Sequence, residues 1–320
     1  MTTPTELAPV VVTGGAGAIG AVLVRRLVEA GHPVRVIDNL SSGKRGRLKD
    51  LEAVGKVQFY RHDLRKRDGL TEIFRGAGSV WHFAANPNIQ KGTKDPRVDL
   101  EHGTVATAHV LEAARHAHVP RILFSSSSVV YGLPTVFPTP ESYGPLLPQS
   151  QYGASKLASE AMISAYCYSY QMQGWIFRFA NIVGPGMTHG VIYDFLRKLQ
   201  RDPARLEVLG DGNQAKSYLW VDDCIDAMQL AEERSHDPVN VFNLGTEQQV
   251  PVREIAERVV RAFGGTARIE YTGGAQGWAG DIPKQLLSVD RIRALGWKPR
   301  LDSSAVVDKA IATGRAEMGL

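Results

Sequence analysis

The feature that most constrains this chain is a strand, a glycine-rich turn and a helix at its start. Val10–Val12 is a short β-branched run, Gly14, Gly17 and Gly20 follow, and Ala18–Ala30 carries Ile19, Leu23, Leu27 and Val28 at helical spacing. Gly31 stands where a glycine closes a helix, and Val34, Val36 and Ile37 form a second strand ending at Asp38. Absent side chains let the backbone turn sharply, let a pyrophosphate approach and let the helix pack on the strand. The helix N-terminus then offers unpaired N–H groups to an anion. A bare glycine pattern is weak, and its bland alternative is a turn with no ligand. The preceding strand, the following helix and the acid closing the next strand make the dinucleotide-binding reading specific.

A carboxylate at Asp38 accepts hydrogen bonds from both adenosine-ribose hydroxyls and repels a 2′-phosphate, so the expected cofactor is NAD rather than NADP. Lys44 and Arg45 follow closely. They open one of two basic runs, Lys44-Arg45-Gly46-Arg47 and Arg65-Lys66-Arg67, read as solvated loop charge. The net charge of +4 is spread along the chain and no aromatic residues interleave with these runs, so no nucleic-acid partner is expected.

Strand–helix alternation continues. Val57–Tyr60 ends near Asp63 and Leu64, Ser79–Phe83 ends at Ala84 and Ala85, and Arg121–Ser125 ends in four serines, with a helix near Thr104–His116. Repeated units in this order predict an α/β fold with a Rossmann-like, doubly wound parallel sheet whose ligands lie beyond the carboxyl ends of the strands. The 320 residues, 43% of them apolar, suffice for one large domain or two unequal lobes. No run of about 18 uncharged apolar residues is present, so no membrane partner is expected. The polar segment before Val10 lacks the core of a secretory signal. Two lone cysteines, Cys167 and Cys224, make neither a disulfide framework nor a metal set; no metal is expected, and a reducing cytoplasm is.

The segment "QYGASKLASEAMISAY" places Tyr152 and Lys156 one helical turn apart, on one face. A free phenol has a pKa near about 10, and an adjacent cation and a positive nicotinamide ring are expected to lower it. Tyr152 then takes a proton from an alcohol while hydride leaves the same carbon, and Ser127 hydrogen-bonds that oxygen. By itself the Tyr-x-x-x-Lys spacing is usually an ordinary helix face. The dinucleotide fingerprint and the serine-ended strand raise it to a catalytic candidate.

The chain resembles the extended short-chain dehydrogenases/reductases, in particular the UDP-glucose 4-epimerase-like members of the NAD-dependent epimerase/dehydratase family. The residues that carry the resemblance are "VTGGAGAIG", "VIDNLSSGKR", "HDL", "HFAANP", "FSSSSVVYG", "YGASK", "FRFANIVGPG", "LGDGNQAKSYLWVDD" and "GDIP". It implies that Gly14, Gly17, Ala18 and Ile19 lie along the pyrophosphate. Asp38, Asn39 and Ser42 hold the adenosine end, Asp63 and Leu64 flank adenine, and Phe83, Ala84, Ala85 and Ser125 pass beside the cofactor. Ser127, Tyr152 and Lys156 match the catalytic triad, with Tyr152 and Lys156 also touching NAD. Asn181, Val191, Leu206, Val208, Lys216, Trp278 and Asp281 are candidates for the nucleotide sugar, with Leu206 and Val208 cradling the base.

Within such a family, members that eliminate water carry an acid pair directly after the serine's position, and decarboxylating members keep a glutamate. Here Ser128 and Val129 stand there, so the strand end offers alcohol chemistry and no acid for elimination. The expected reaction is epimerisation at C4 through a 4-keto sugar, with UDP-glucose/UDP-galactose as default. Epimerisation of another nucleotide sugar (a UDP-hexuronic acid, a UDP-N-acetylhexosamine or a non-UDP sugar) and a net NAD-dependent oxidoreductase stay open. Intact Ser127, Tyr152 and Lys156 argue against a non-catalytic regulator.

Three positions depart from the family pattern. Lys216 replaces an arginine that reaches phosphate, which keeps charge and loses bidentate geometry. Trp278 replaces a second such arginine, and either stacks on a base or sugar or packs in the core. Gly103, beside His102, replaces an asparagine that contacts the cofactor, and His189 is a candidate for compensating diphosphate contacts. The expected organisation is an NAD-binding domain over 1–180 with a returning segment at about 215–245, and a mixed α/β nucleotide-sugar lobe over about 181–214 and 246–320. The resemblance further implies a homodimer through a four-helix bundle of the helices near 104–116 and 155–170.

Overall fold

The computed structural model describes residues 7–278 and 280–320. The expectation of no secretory signal falls partly on residues 1–6, outside the described residues. β1 (Val10–Thr13), β2 (Val34–Asp38), β3 (Val57–Arg61), β4 (Ser79–His82), β5 (Arg121–Ser127) and β6 (Gln173–Phe179) alternate with helical segments. β7 (Asn181–Val183), β8 (Arg205–Val208), β9 (Ala215–Lys216), β10 (Tyr218–Trp220) and β11 (Val239–Leu244) follow, and β11 returns to the edge of the first sheet.

The sheet order is β11-β6-β5-β4-β1-β2-β3, and every neighbouring pair is parallel. This is the Rossmann-like, doubly wound architecture. Its strand order reverses between β1 and β4, and a crevice opens there beyond the strand ends. β1 and β4 are buried along their whole length, as parallel strands covered on both faces must be. Side-chain alternation divides the core in two: Val10, Val12, Val36, Trp81 and Leu123 pack on one face, and Val11, Ile37, Val80, Ile122 and Phe124 on the other.

Beyond β6 the regular alternation lapses. Three more strands complete the set, β12 (Val250–Pro251), β13 (Arg268–Tyr271) and β14 (Lys284–Gln285). They form small sheets: β7 with β10, β8 with β13, and β12-β9-β14, the last mixed in direction. Helix Val191–Arg201 buries Ile192, Phe195, Leu196 and Leu199, an apolar stripe at helical spacing, and packs against helices Val252–Ala262 and Ser303–Glu317.

The helix expected over Thr104–His116 begins differently. Leu100–Val105 is a π-turn, and an α-helix follows over Ala106–His116. Gly103 is buried there, and a Cβ on it would stand 2.6 Å from the Ser155 hydroxyl of the neighbouring helix. The space of a side chain is thus filled by Ser155. No helix among the described residues is long and apolar enough to cross a membrane.

Candidate active site

The carboxyl edge of the sheet opens into a cleft of about 1320 Å³. Gly14, with φ +69°, turns the chain at the end of β1, and a Cβ on it would lie 2.8 Å from the Ala84 amide. A Cβ on Gly20 would overlap the Gly14 carbonyl, so its absence lets the helix Ala18–Glu29 seat directly on the turn. Asp38 closes β2. One carboxylate oxygen accepts from the Ala16 amide at 3.1 Å, the other from the Leu40 amide at 2.8 Å. A side chain on Gly43 would collide with that carboxylate.

Every residue expected at the cofactor lines this cleft: Gly14, Gly17, Ala18, Ile19, Asp38, Asn39, Ser42, Asp63, Leu64, Phe83, Ala84, Ala85, Ser125, Tyr152 and Lys156. The bare glycine turn, the helix start behind it and the fixed acid at the next strand suit a dinucleotide. Asp63 is engaged by Arg65 at 2.7 Å, which holds its carboxyl far below the usual carboxylate range. Arg65 also reaches Glu101 at 3.3 Å.

The serines of β5 part ways by side-chain alternation. The Ser125 hydroxyl donates to the His82 carbonyl at 3.2 Å. Ser126 points to the opposite side and donates to Glu160, which forms a buried ion pair with Arg178 at 2.7 Å. Ser127 lines the cleft, its hydroxyl accepting from the Val129 amide at 3.4 Å.

Ser150 caps the helix Gln151–Tyr170, accepting from the Gly153 amide at 3.1 Å. Tyr152 and Lys156 therefore occupy its first two turns. A Cβ on Gly153 would come within 3.0 Å of the Val129 carbonyl, so this glycine lets the helix start close against the end of β5. The buried Lys156 ammonium donates to the Ser125 carbonyl at 2.6 Å and lies 5.7 Å from the centre of the Tyr152 ring. Burial lowers the Lys156 pKa to about 7, opposed by Glu160 and Asp99. Lys156 does not by itself lower the Tyr152 phenol pKa. Burial first, and Asp99 second, push the phenol well above its ordinary value.

On the substrate side, Asn181, Val191, Lys216, Trp278 and Asp281 line the cleft. The Asn181 amide donates to the Ser217 carbonyl at 3.0 Å and to the Gln285 side chain at 3.2 Å. Leu206 and Val208 do not line it. They are the inward residues of β8, fully buried in the core, and Leu209, the residue after the strand, faces the cleft. Lys216 is committed to Asp281 at 2.7 Å, so its charge is already balanced. Trp278 lies on the cleft wall rather than in the core. His189 also lines the cleft and is exposed there.

Several cleft and near-cleft groups escape the sequence reading. Gln285 donates to Ser128 and joins it to Asn181. Asp99 is buried, bound to Asn86 at 2.8 Å through one carboxylate oxygen while the other has no partner. His82 lies between Thr13 and Thr107 at 2.6 and 3.0 Å, its pKa pushed down to about 3 by burial and by Lys156. Arg47 belongs to a basic run read as loop charge, yet it is half-buried and binds the carbonyls of Ala16 and Gly186. Its run identified it as a cation; nothing in the sequence pairs it with Gly186.

A hydroxyl–phenol–ammonium group and a dinucleotide cradle side by side along one sheet edge define a dinucleotide-dependent enzyme. The model of the NAD dependent epimerase/dehydratase family matches residues 10–245, and the chain belongs to that family, with NAD as its cofactor. A UDP-glucose 4-epimerase of Mycolicibacterium smegmatis is 32% identical over 94% of this chain and 96% of that protein. A crystal structure of a UDP-galactose 4-epimerase superposes with a TM-score of 0.87 at 38% identity, over 97% of this chain and 99% of the other. MoeE5 in complex with UDP-glucuronic acid and NAD gives a TM-score of 0.84 at 26% identity, over the same shares of 97% and 99%.

Proposed function

We propose that this NAD-dependent nucleotide-sugar 4-epimerase, an isomerase, interconverts UDP-glucose and UDP-galactose. The observation that carries this is a strand end bearing Ser127 beside Tyr152 and Lys156, with Ser128 and Val129 where an eliminating enzyme needs carboxylates. The UDP-galactose and UDP-glucose 4-epimerases among its relatives support the choice of sugar.

Tyr152 takes the proton of the sugar's 4-hydroxyl and returns it to the 4-keto oxygen after the sugar has turned over. Ser127 hydrogen-bonds that oxygen. Lys156, anchored on the Ser125 carbonyl, fixes the cofactor side of the helix and supplies positive charge. NAD, held by the glycine turn, Asp38, Tyr152 and Lys156, would supply the hydride acceptor for C4, and its positive ring would favour the phenolate form of Tyr152. Net redox change is zero, so turnover needs no exchange of cofactor.

The paired state of Lys216 and the tryptophan at 278 favour a second reading, the same reaction on another nucleotide sugar such as a UDP-hexuronic acid. The division of labour belongs to the proposal: residues 1–180 with 215–245 hold NAD, and 181–214 with 246–320 hold the nucleotide sugar. So do a cytoplasmic location, supported by two buried, unpaired cysteines, and a homodimer.

The test is incubation with a panel of nucleotide sugars without added cofactor, followed by proton NMR. UDP-glucose is expected to convert at C4 with no NADH accumulating. Conversion of a different sugar alone selects the second reading; NADH formed in proportion to sugar overturns both.

A further inference from the structure

We infer that Arg47 is a positioning residue that ties the loop over Gly184–Gly190 to the glycine turn and thereby slows the escape of NAD. This rests on the proposed function, in which cofactor must stay bound through a half-reaction that leaves it reduced.

Four hydrogen bonds in series make the tie. The Ala16 amide donates to Asp38, and the Ala16 carbonyl accepts from the Arg47 guanidinium at 2.8 Å. The other end of the guanidinium donates to the Gly186 carbonyl. The Gly186 amide in turn donates to Glu317 at 2.7 Å, on the C-terminal helix Ser303–Glu317. Arg47 thus spans from the turn at the end of β1 to a loop that follows β7, and both Arg47 and Gly186 line the cleft. Gly186 is suited to its part. Its φ is +74°, and a Cβ there would stand 2.7 Å from the guanidinium.

A guanidinium is suited to this task because its planar fork bonds two carbonyls at once, which an ammonium does not reproduce with fixed geometry. Burial lowers the Arg47 pKa, Glu317 and Asp38 oppose that shift, and a guanidinium stays charged throughout the ordinary pH range. Opening the loop breaks these bonds, so bound cofactor leaves through a path that the tie closes.

The test measures the NAD dissociation rate of the purified full chain by displacement with excess labelled NAD, in the absence of any sugar. Arg47→Ala is expected to raise the rate at least tenfold, Arg47→Lys to raise it less, and Glu317→Ala to raise it severalfold from the opposite end. Should Arg47→Ala not fold, Glu317→Ala alone decides. Rates within twofold of the parent for the folded variants overturn the proposal, including where Arg47→Ala merely lowers the melting temperature of the cofactor-free protein. No sugar is present, so failure of the substrate assignment leaves this measurement unaffected.

Discussion

Tyr152 and Lys156 share a helix face, and burial moves them in opposite directions: the phenol is held protonated and the ammonium is brought to about 7. Removing the phenolic oxygen while keeping the ring isolates the proton transfer. Tyr152→Phe is expected to lower kcat by roughly 10²–10⁴-fold with NAD still retained, checked by steady-state kinetics and cofactor absorbance after gel filtration. Lys156 gives a stability signature. Its folded pKa of about 7 lies below its ordinary 10.5, so the unfolded chain binds the extra proton between those values. The destabilisation is full below about 7 and is relieved as pH rises towards 10.5, by at most about 1.4 kcal/mol per pH unit. Lys156→Met is expected to abolish this increment, measured as the difference between parent and variant in denaturant unfolding of the cofactor-free protein across that range. Ser127, Tyr152 and Lys156 were legible because short local motifs carry them. Asp99, Gln285 and Arg47 were not, because each gains its partner only when distant segments meet.

At the level of elements, helix packing explains one departure from the family. Gly103 takes the asparagine's position and stands against Ser155 in the first turns of the catalytic helix. Gly103→Ala is expected to cost about 1–3 kcal/mol, as overpacking does, and to lower kcat by shifting the helix that carries Tyr152. Thermal unfolding together with kinetics checks it. A stable, fully active Gly103→Ala protein contradicts the contact. Strand positions in the first half were readable from apolar runs with turn residues after them. The π-turn before Ala106 was not, since side-chain spacing hardly distinguishes it from α-helix. For β8, Leu206 and Val208 are the core-facing residues, Arg205 and Glu207 do not line the cleft either, and only Leu209 after the strand does.

For the whole molecule, the order β11-β6-β5-β4-β1-β2-β3 explains why residues from Gly14 to Lys156 meet at one edge. That much followed from strand–helix alternation. The small sheets beyond β6 did not, because two- to four-residue strands leave little periodicity to read. The proposed homodimer belongs to this scale. Tyr168 and Tyr170 are exposed on the second of the two segments expected to pair. Light scattering at micromolar concentration is expected to give twice the mass of one chain, and a monomer contradicts the pairing. The central claim is that hydride leaves C4 and returns to C4 with no net oxidation. UDP-glucose bearing deuterium at C4, supplied without added NAD, tests it most directly. The account predicts UDP-galactose with deuterium retained at C4; loss of the label to solvent, or an oxidised sugar with NADH, contradicts it.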